Sequence, residues 1–398
     1  MKANPNLQNF KSLFVAVILF ACYCFAAPYQ LAQTLKPKAE SRDSVYSDLT
    51  YCGVDHIPSS AWTKSVVFNP AGTKLYSLNL EEMSIYEFDS FTKSITRRFK
   101  FKATPAAGWN YQLNRPMPSH EEKPVEGCFS HDGKILWVSL HNAGGIVAIR
   151  MDSTLIPYSL ARYPTKTLFV YDIQKRITDT MAVPFISTGK TPKVIAVTSN
   201  NKFLLVSNWH SNSVSVIRIN DSVPPYGKKV KDIRTGALPR GIAISNERYP
   251  KTYVTNMGTN VISVINNRSW RVERNIHTSD NPRHIISSVG RLYASYNTPS
   301  EIACFNSHTN RILFKSSTSA HPRTITLSEN QKFLFVACYE GNSIDVFKIN
   351  KGNFKRIYSI KCNGKPVGID LREDLDTLEA WVCTYNGNTL QVFTFEKT

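Results

Sequence analysis

The chain has no Cys-x-x-Cys pair, no Cys-x-x-Cys-His haem attachment site and no His/Cys cluster at zinc spacing, so its 398 residues give no support to a protein-ligated metal. Gly-x-Ser-x-Gly, Gly-x-Gly-x-x-Gly, the Walker A loop and His-Glu-x-x-His are absent too. With them goes any motif-based case for a nucleophile-elbow hydrolase, a dinucleotide enzyme, a P-loop NTPase or a zinc protease. Outside the N-terminus no segment sustains a 3.6-residue apolar period, which excludes long packed helices. Acidic residues are also scarce: 30 Asp and Glu face 48 Lys and Arg, for a net charge of +18.

What is present is a repeat. The stretch TYVTNMGTNVISVIN from Thr252 returns in variant form about every forty residues from Lys64 to the C-terminus. Second strands read KLYSLN from Lys74, KILWVSL from Lys134, KFLLVSN from Lys202, KTYVTN from Lys251, RLYASYN from Arg291, KFLFVACY from Lys332 and LEAWVCTY from Leu378. Third strands such as SVSVIR, VISVIN, SIDVFK and TLQVFTF follow, with β-branched or aromatic residues at alternate positions; blade two's is expected at TLFVYDI from Thr167. Seven units of four short antiparallel strands predict an all-β, seven-bladed propeller. The last unit ends almost at Thr398 and lacks its outer strand. Segment 44–52, SVYSDLTYC, is expected to supply it and close the ring, removing two exposed sheet edges.

The chain resembles the exported YVTN-repeat propellers, the YncE-like group that is similar to surface-layer repeat proteins, from Val45 onward. The resemblance implies fold more than function, since propellers host binding modules, lactonases and cofactor-dependent oxidoreductases alike.

Residues 1–27 have the layout of a secretory signal: Lys2 and Lys11, a continuous apolar run over 13–21 too short to span a membrane, then small residues at Cys24, Ala26 and Ala27. Cleavage after Ala26 fits, and a loose lipoprotein box makes Cys22 the lipidation candidate, with Phe20 fitting poorly. Both readings predict an exported protein, periplasmic or at the cell surface, with 28–43 as a polar linker and 44–398 as the propeller, monomeric and without a membrane span once mature. Of the eight cysteines, Cys128, Cys304, Cys338 and Cys383 fall singly in strands of different blades and read as buried thiols. Cys52 and Cys362, at equivalent ends of neighbouring outer strands, are the one conceivable disulfide.

The functional signal is a repeat-phased set of cations. WTKSVVF, TPKVIAV, LPRGIAI, NPRHIIS and HPRTITL place Lys64, Lys193, Arg240, Arg283 and Arg323 at one structural position, the start of the innermost strand. Blades two and seven depart, with Val125 beside Glu126 in KPVEGCF and Val367 in KPVGIDL. Innermost strands surround the central channel, so the cations should form a broken ring at one mouth, where like charges call for an anion. A structural use competes with this: Arg after Pro can stack on the next blade and bond its loop carbonyls, which a repeat would copy.

Loops between second and third strands should share that face, adding His141, Asn208, Trp209, His210, Asn256, Tyr339 and Tyr385 as ligand-binding candidates beside Glu126. The Asn residues are equally explained by turn chemistry. Insertions at 103–123 and 142–166 are expected over the same face, and one at 221–228 on the opposite face. Partners predicted are an anionic small molecule, an acidic glycan or an envelope component. Nucleic acid is less favoured, because Lys74, Lys134, Lys202, Lys251, Arg291 and Lys332 merely recur at exposed strand starts. The sequence thus predicts a non-enzymatic binding propeller with no metal and no assigned cofactor. A lactonase-type hydrolase using Glu126, His141, His210 and Arg240 is one alternative; a host for a quinone or haem-like anionic cofactor is the other.

Overall fold

The computed structural model describes residues 46–110, 113–151, 162–220 and 222–398; the segments expected to be a secretory signal and a linker, and Cys22, lie outside them. Four consecutive strands form each regular blade, as in blade four with Pro239–Ile244, Lys251–Asn256, Val261–Asn266 and Arg271–His277. The two middle strands are almost wholly buried and the outermost alternates, because only the middle strands are covered on both faces by neighbouring blades. The innermost strands, beginning at Thr63, Pro124, Pro192, Pro239, Pro282, Pro322 and Pro366, contact one another in chain order, and the first meets the last. Seven blades therefore close around one channel.

Closure is made as the repeat requires, with a shifted register. Leu49–Pro58, rather than 44–52, pairs antiparallel with Thr389–Lys397 and completes blade seven. The shift follows from burial: Leu49 and Ile57 enter the core, while Tyr46 lies beyond the strand, stacked on Phe333 at 5.6 Å with its hydroxyl on Glu373.

Blade two departs from the expectation. Its third strand is Gly145–Arg150, fully buried up to Ile149 and paired along its whole length with Ile135–Leu140. The segment expected in that role, Thr165–Asp172, is an outer strand between Ile177–Ser187 and Ile95–Phe101 of blade one, so blades one and two share one nine-stranded sheet. Its alternating apolar residues suit either position, but only GIVAIR is apolar on both faces as a middle strand must be. The insertion consequently follows the third strand. It leaves beside the turn before the second strand, where the Met151 amide bonds the Lys134 carbonyl, on the face opposite the cations. The 103–123 insertion does rise over the cation face, as a hairpin of Pro105–Asn110 and Arg115–His120 pinned by Asn142 to Ser119 and to the His120 carbonyl.

All six described cysteines are free thiols, Cys52 and Cys362 included; Cys304, Cys338 and Cys383 are buried and Cys128 half-buried. No helix among the described residues is long and apolar enough to cross a membrane.

Candidate functional site

One backbone device repeats at the channel mouth. In all seven blades the residue after the second strand donates its amide to a carbonyl ahead of the innermost strand, at 2.8–3.1 Å: Leu80 to Trp62, His141 to Lys123, Trp209 to Thr191, Met257 to Leu238, Asn297 to Asn281, Tyr339 to His321 and Tyr385 to Lys365. This puts the two kinds of loop at one end. Immediately afterwards the pairing of innermost and second strands slips, between Thr63 and Ser65, Pro192 and Ile195, Pro239 and Ile242, Pro282 and His284, and Pro322 and Ile325. Each slip is a β-bulge, and each contains one of the five cations. A bulge frees a residue from the ladder and re-aims its side chain, here toward the channel axis.

The hydroxyl at the second strand's penultimate position repairs the ladder. The Val194, Gly241 and His284 amides donate to Ser207, Thr255 and Ser295. Those same hydroxyls donate to the Arg240, Arg283 and Arg323 carbonyls of the next blade at 2.8, 3.1 and 2.8 Å. Blades are thus strapped through the arginine backbones, and the guanidinium groups are left for the channel.

There the side chains converge. Arg240 reaches across to Glu126 of blade two at 3.2 Å, and Arg283 contacts the Met257 sulfur at 3.9 Å. Arg323 lies over the Tyr339 ring at 3.4 Å and Lys64 over Tyr385 at 4.5 Å. Lys193, 4% exposed, donates to His141 Nδ1 at 3.0 Å beneath the Trp209 ring at 4.8 Å. Trp209 stacks on His210, whose Nδ1 meets the Thr191 hydroxyl at 2.7 Å. Five cations and one carboxylate share the opening. Burial, then repulsion from Arg323, Arg240 and Arg283, holds Lys64 well below an ordinary lysine. Lys193 is lowered likewise by burial, Arg240, Lys64 and Arg283. Burial followed by Arg323 and Arg240 lowers Arg283, and burial brings Arg323 down to about 10. Glu126 is raised by burial even though Arg240 and the other cations oppose the shift. His141 is kept neutral by burial and then by Lys193. Burial is the first cause in each case, and repulsion among the cations adds to it for Lys64, Lys193, Arg283 and Arg323.

Asn208 and Asn256 do not join this group. Both are fully buried: Asn208 accepts from the Gly189 amide and donates to Ser213 and Ser215, and Asn256 donates to the Val254 and Val261 carbonyls and to Ser263. They clip the loops from within, as turn chemistry explains. Trp62, edge-on to Tyr385 at 4.8 Å, and Lys365, over Tyr339 at 4.9 Å and paired with Glu340 at 2.7 Å, belong to the rim without having been singled out. Their signal lay in the motifs themselves, since Lys365 precedes the bulge in a blade that has no cation of its own.

Below the ring the channel holds a cavity of about 390 Å³ lined by Glu126, Val194, Ile242, His284, Thr324 and Asp370, among others. That is the scale of a small-ligand pocket. Asp370 accepts the Phe68 and Leu371 amides, and burial pushes its carboxyl up to about 6. No group of His, Cys, Asp and Glu among the described residues is arranged to hold a metal ion.

A family model described as lactonase, 7-bladed beta-propeller, matches residues 64–239 and 272–365, a range that begins on Lys64 and includes Lys193, Arg283 and Arg323. The chain belongs to this lactonase family of seven-bladed propellers. Among solved structures it is similar to Kuenenia stuttgartiensis hydrazine synthase, at 15% identity over 86% of this chain and 98% of that one, with a TM-score of 0.61. It is also similar to Staphylococcus aureus virginiamycin B lyase, at 14% identity over 87% and 99%, TM-score 0.61, of which a catalytically inactive form has been crystallised with quinupristin. These identities speak for the fold alone. No curated protein matches by sequence.

Membership in the lactonase family makes the titratable channel residues of direct interest, and His284 gives a pH test. Burial, then Arg240 and Arg283, lowers its ring to about 3. An unfolded-chain histidine protonates near ~6.5, so below that pH the unfolded state takes up the proton first and stability falls toward pH 3. The ring is half-buried in the cavity wall, so the loss at pH 4.5 relative to pH 7 should be roughly 1–3 kcal/mol. Denaturant titrations of wild type and His284→Gln at both pH values should show this increment in wild type alone; equal losses would assign it elsewhere.

Proposed function

We propose that the channel mouth binds an anionic small molecule, or an acidic group of a larger glycan or envelope component, without transforming it. The observation that carries this reading is the convergence of Lys64, Lys193, Arg240, Arg283 and Arg323 on one opening with Glu126 as the single carboxylate paired among them. A carboxylate or phosphate would complete charge-assisted hydrogen bonds with arginines whose backbones already serve the blade-to-blade straps. The aromatic rim of Trp62, Trp209, Tyr339 and Tyr385 suits the flat apolar face of a sugar-like ligand. Export to the periplasm or cell surface, as in the YVTN-type repeat proteins that the chain resembles, would place the site among acidic glycans and lipid headgroups.

Lactone hydrolysis is the second reading. It is favoured by the family match and by the placement of Glu126, with its raised carboxyl, against Arg240 at the mouth. Calorimetric titration with inorganic phosphate, sugar phosphates and sugar acids, run beside an assay of lactone ring opening, separates the two. Binding of one anion per chain with lactone opening at the uncatalysed rate is expected. Turnover abolished by Glu126→Gln would instead establish the hydrolase, and failure to bind any of these anions would remove the first reading.

A further inference from the structure

The five cations are not chemically equivalent. Arginine can only hold an anion, whereas lysine can also act as a nucleophile when desolvated beside other cations. Of the two lysines, Lys64 is half-buried with its amine over the Tyr385 ring. Lys193, under the Trp209 ring, differs on two counts: it is nearly inaccessible to bulk water, and its Nζ is 3.0 Å from the Nδ1 of a histidine. With the amine donating, Nδ1 is the unprotonated nitrogen, the His141 ring carries its proton on Nε2, and a lone pair faces the amine. Val194, the next residue, and Glu126, which holds Arg240, both line the channel cavity below the ring.

We propose that Lys193 captures carbonyl-bearing anions, such as 2-oxo acids or phosphorylated aldehydes, as a reversible imine. The proposal rests on the anion-site reading above and adds a covalent step to it. The arginines fix the anionic group. The Lys193 lone pair then attacks the carbonyl carbon, forming the C–N bond while the carbonyl π electrons move to oxygen. His141 Nδ1 relays the two amine protons to oxygen in turn: the first converts the alkoxide to a hydroxyl, and the second lets that hydroxyl leave as water when the nitrogen lone pair forms C=N. Amine and carbonyl become imine and water, with no oxidant or reductant, and hydrolysis reverses the step. Burial and the neighbouring cations lower the basicity of Lys193, which favours the unprotonated amine that such attack requires.

Pyridoxal 5′-phosphate, an aldehyde bearing a phosphate, is the probe. Native protein is mixed with it at pH 7, trapped with borohydride and mapped by peptide mass spectrometry, while inorganic phosphate binding is measured in parallel by calorimetry. Lys193 should be labelled about tenfold faster than any other lysine, and inorganic phosphate should protect it. Lys193→Arg should form no imine at this position; because mapping is done on wild type, a folding defect in that variant does not blunt the test. Labelling of Lys64 instead, or labelling spread over surface lysines, would overturn the proposal. Phosphate binding without any imine would overturn it while leaving the anion site standing. Absence of both would remove the anion site as well.

Discussion

A chain that begins at Ser59 should lose cooperative unfolding and aggregate. The deletion removes Leu49–Pro58, the outer strand of blade seven, and leaves the backbone of Thr389–Lys397 as an open edge. Tyr46, Leu49 and Ile57 are each no more than 6% exposed, and their burial is worth roughly 1.5–3 kcal/mol apiece. Added to the lost ladder, and to the bond from the Tyr358 hydroxyl to the Leu49 carbonyl, that is a large share of the 5–15 kcal/mol or so that separates folded from unfolded domains. The thermal midpoint should fall by more than about 10 °C, with light scattering rising through the transition. An unchanged midpoint would mean that the ring does not depend on its N-terminal clasp.

The second large effect concerns ligand affinity. Replacing Arg240 and Arg283 together by Gln removes two charge-assisted contacts worth roughly 1.5–3 kcal/mol each, so phosphate-class ligands should bind about 10²- to 10⁴-fold more weakly. Replacing Lys74 and Lys134 changes net charge equally, but those lysines pair with Asp89 and Asp132 away from the mouth and should matter little. The ring variant should also remain folded, because Thr255 and Ser207 bond the carbonyls of these residues, which Gln retains. Isothermal titration and thermal unfolding of both double variants check the two statements. Equal losses that track ionic strength would mean a diffuse basic surface, and unfolding of the ring variant without ligand would make the arginines structural struts.

The strand repeat was legible because a middle strand must be apolar on both faces and the outer one need not be, a contrast that recurs in every blade. The cation positions were legible for a related reason, since Pro marks the start of six of the seven innermost strands. What the letters did not show was the bulge. Nothing in LPRGIAI or NPRHIIS announces that the ladder slips there, and the slip is what frees the side chains for the channel. Asn208 and Asn256 looked like ligand groups by loop position, yet their neighbours Ser215 and Ser263 turn them inward as clips. In blade two, TLFVYDI alternates as an outer strand does while GIVAIR is apolar on both faces, and the bond of Thr165–Asp172 to blade one depends on residues some seventy positions apart.

The most direct test of the anion site is crystallographic. Protein purified in weakly coordinating buffer and soaked in selenate should show an anomalous peak at the channel mouth, within hydrogen-bonding distance of the Arg240, Arg283 or Arg323 guanidinium groups. Selenate found only on outer lysines, with the mouth empty at full occupancy elsewhere, would contradict the account.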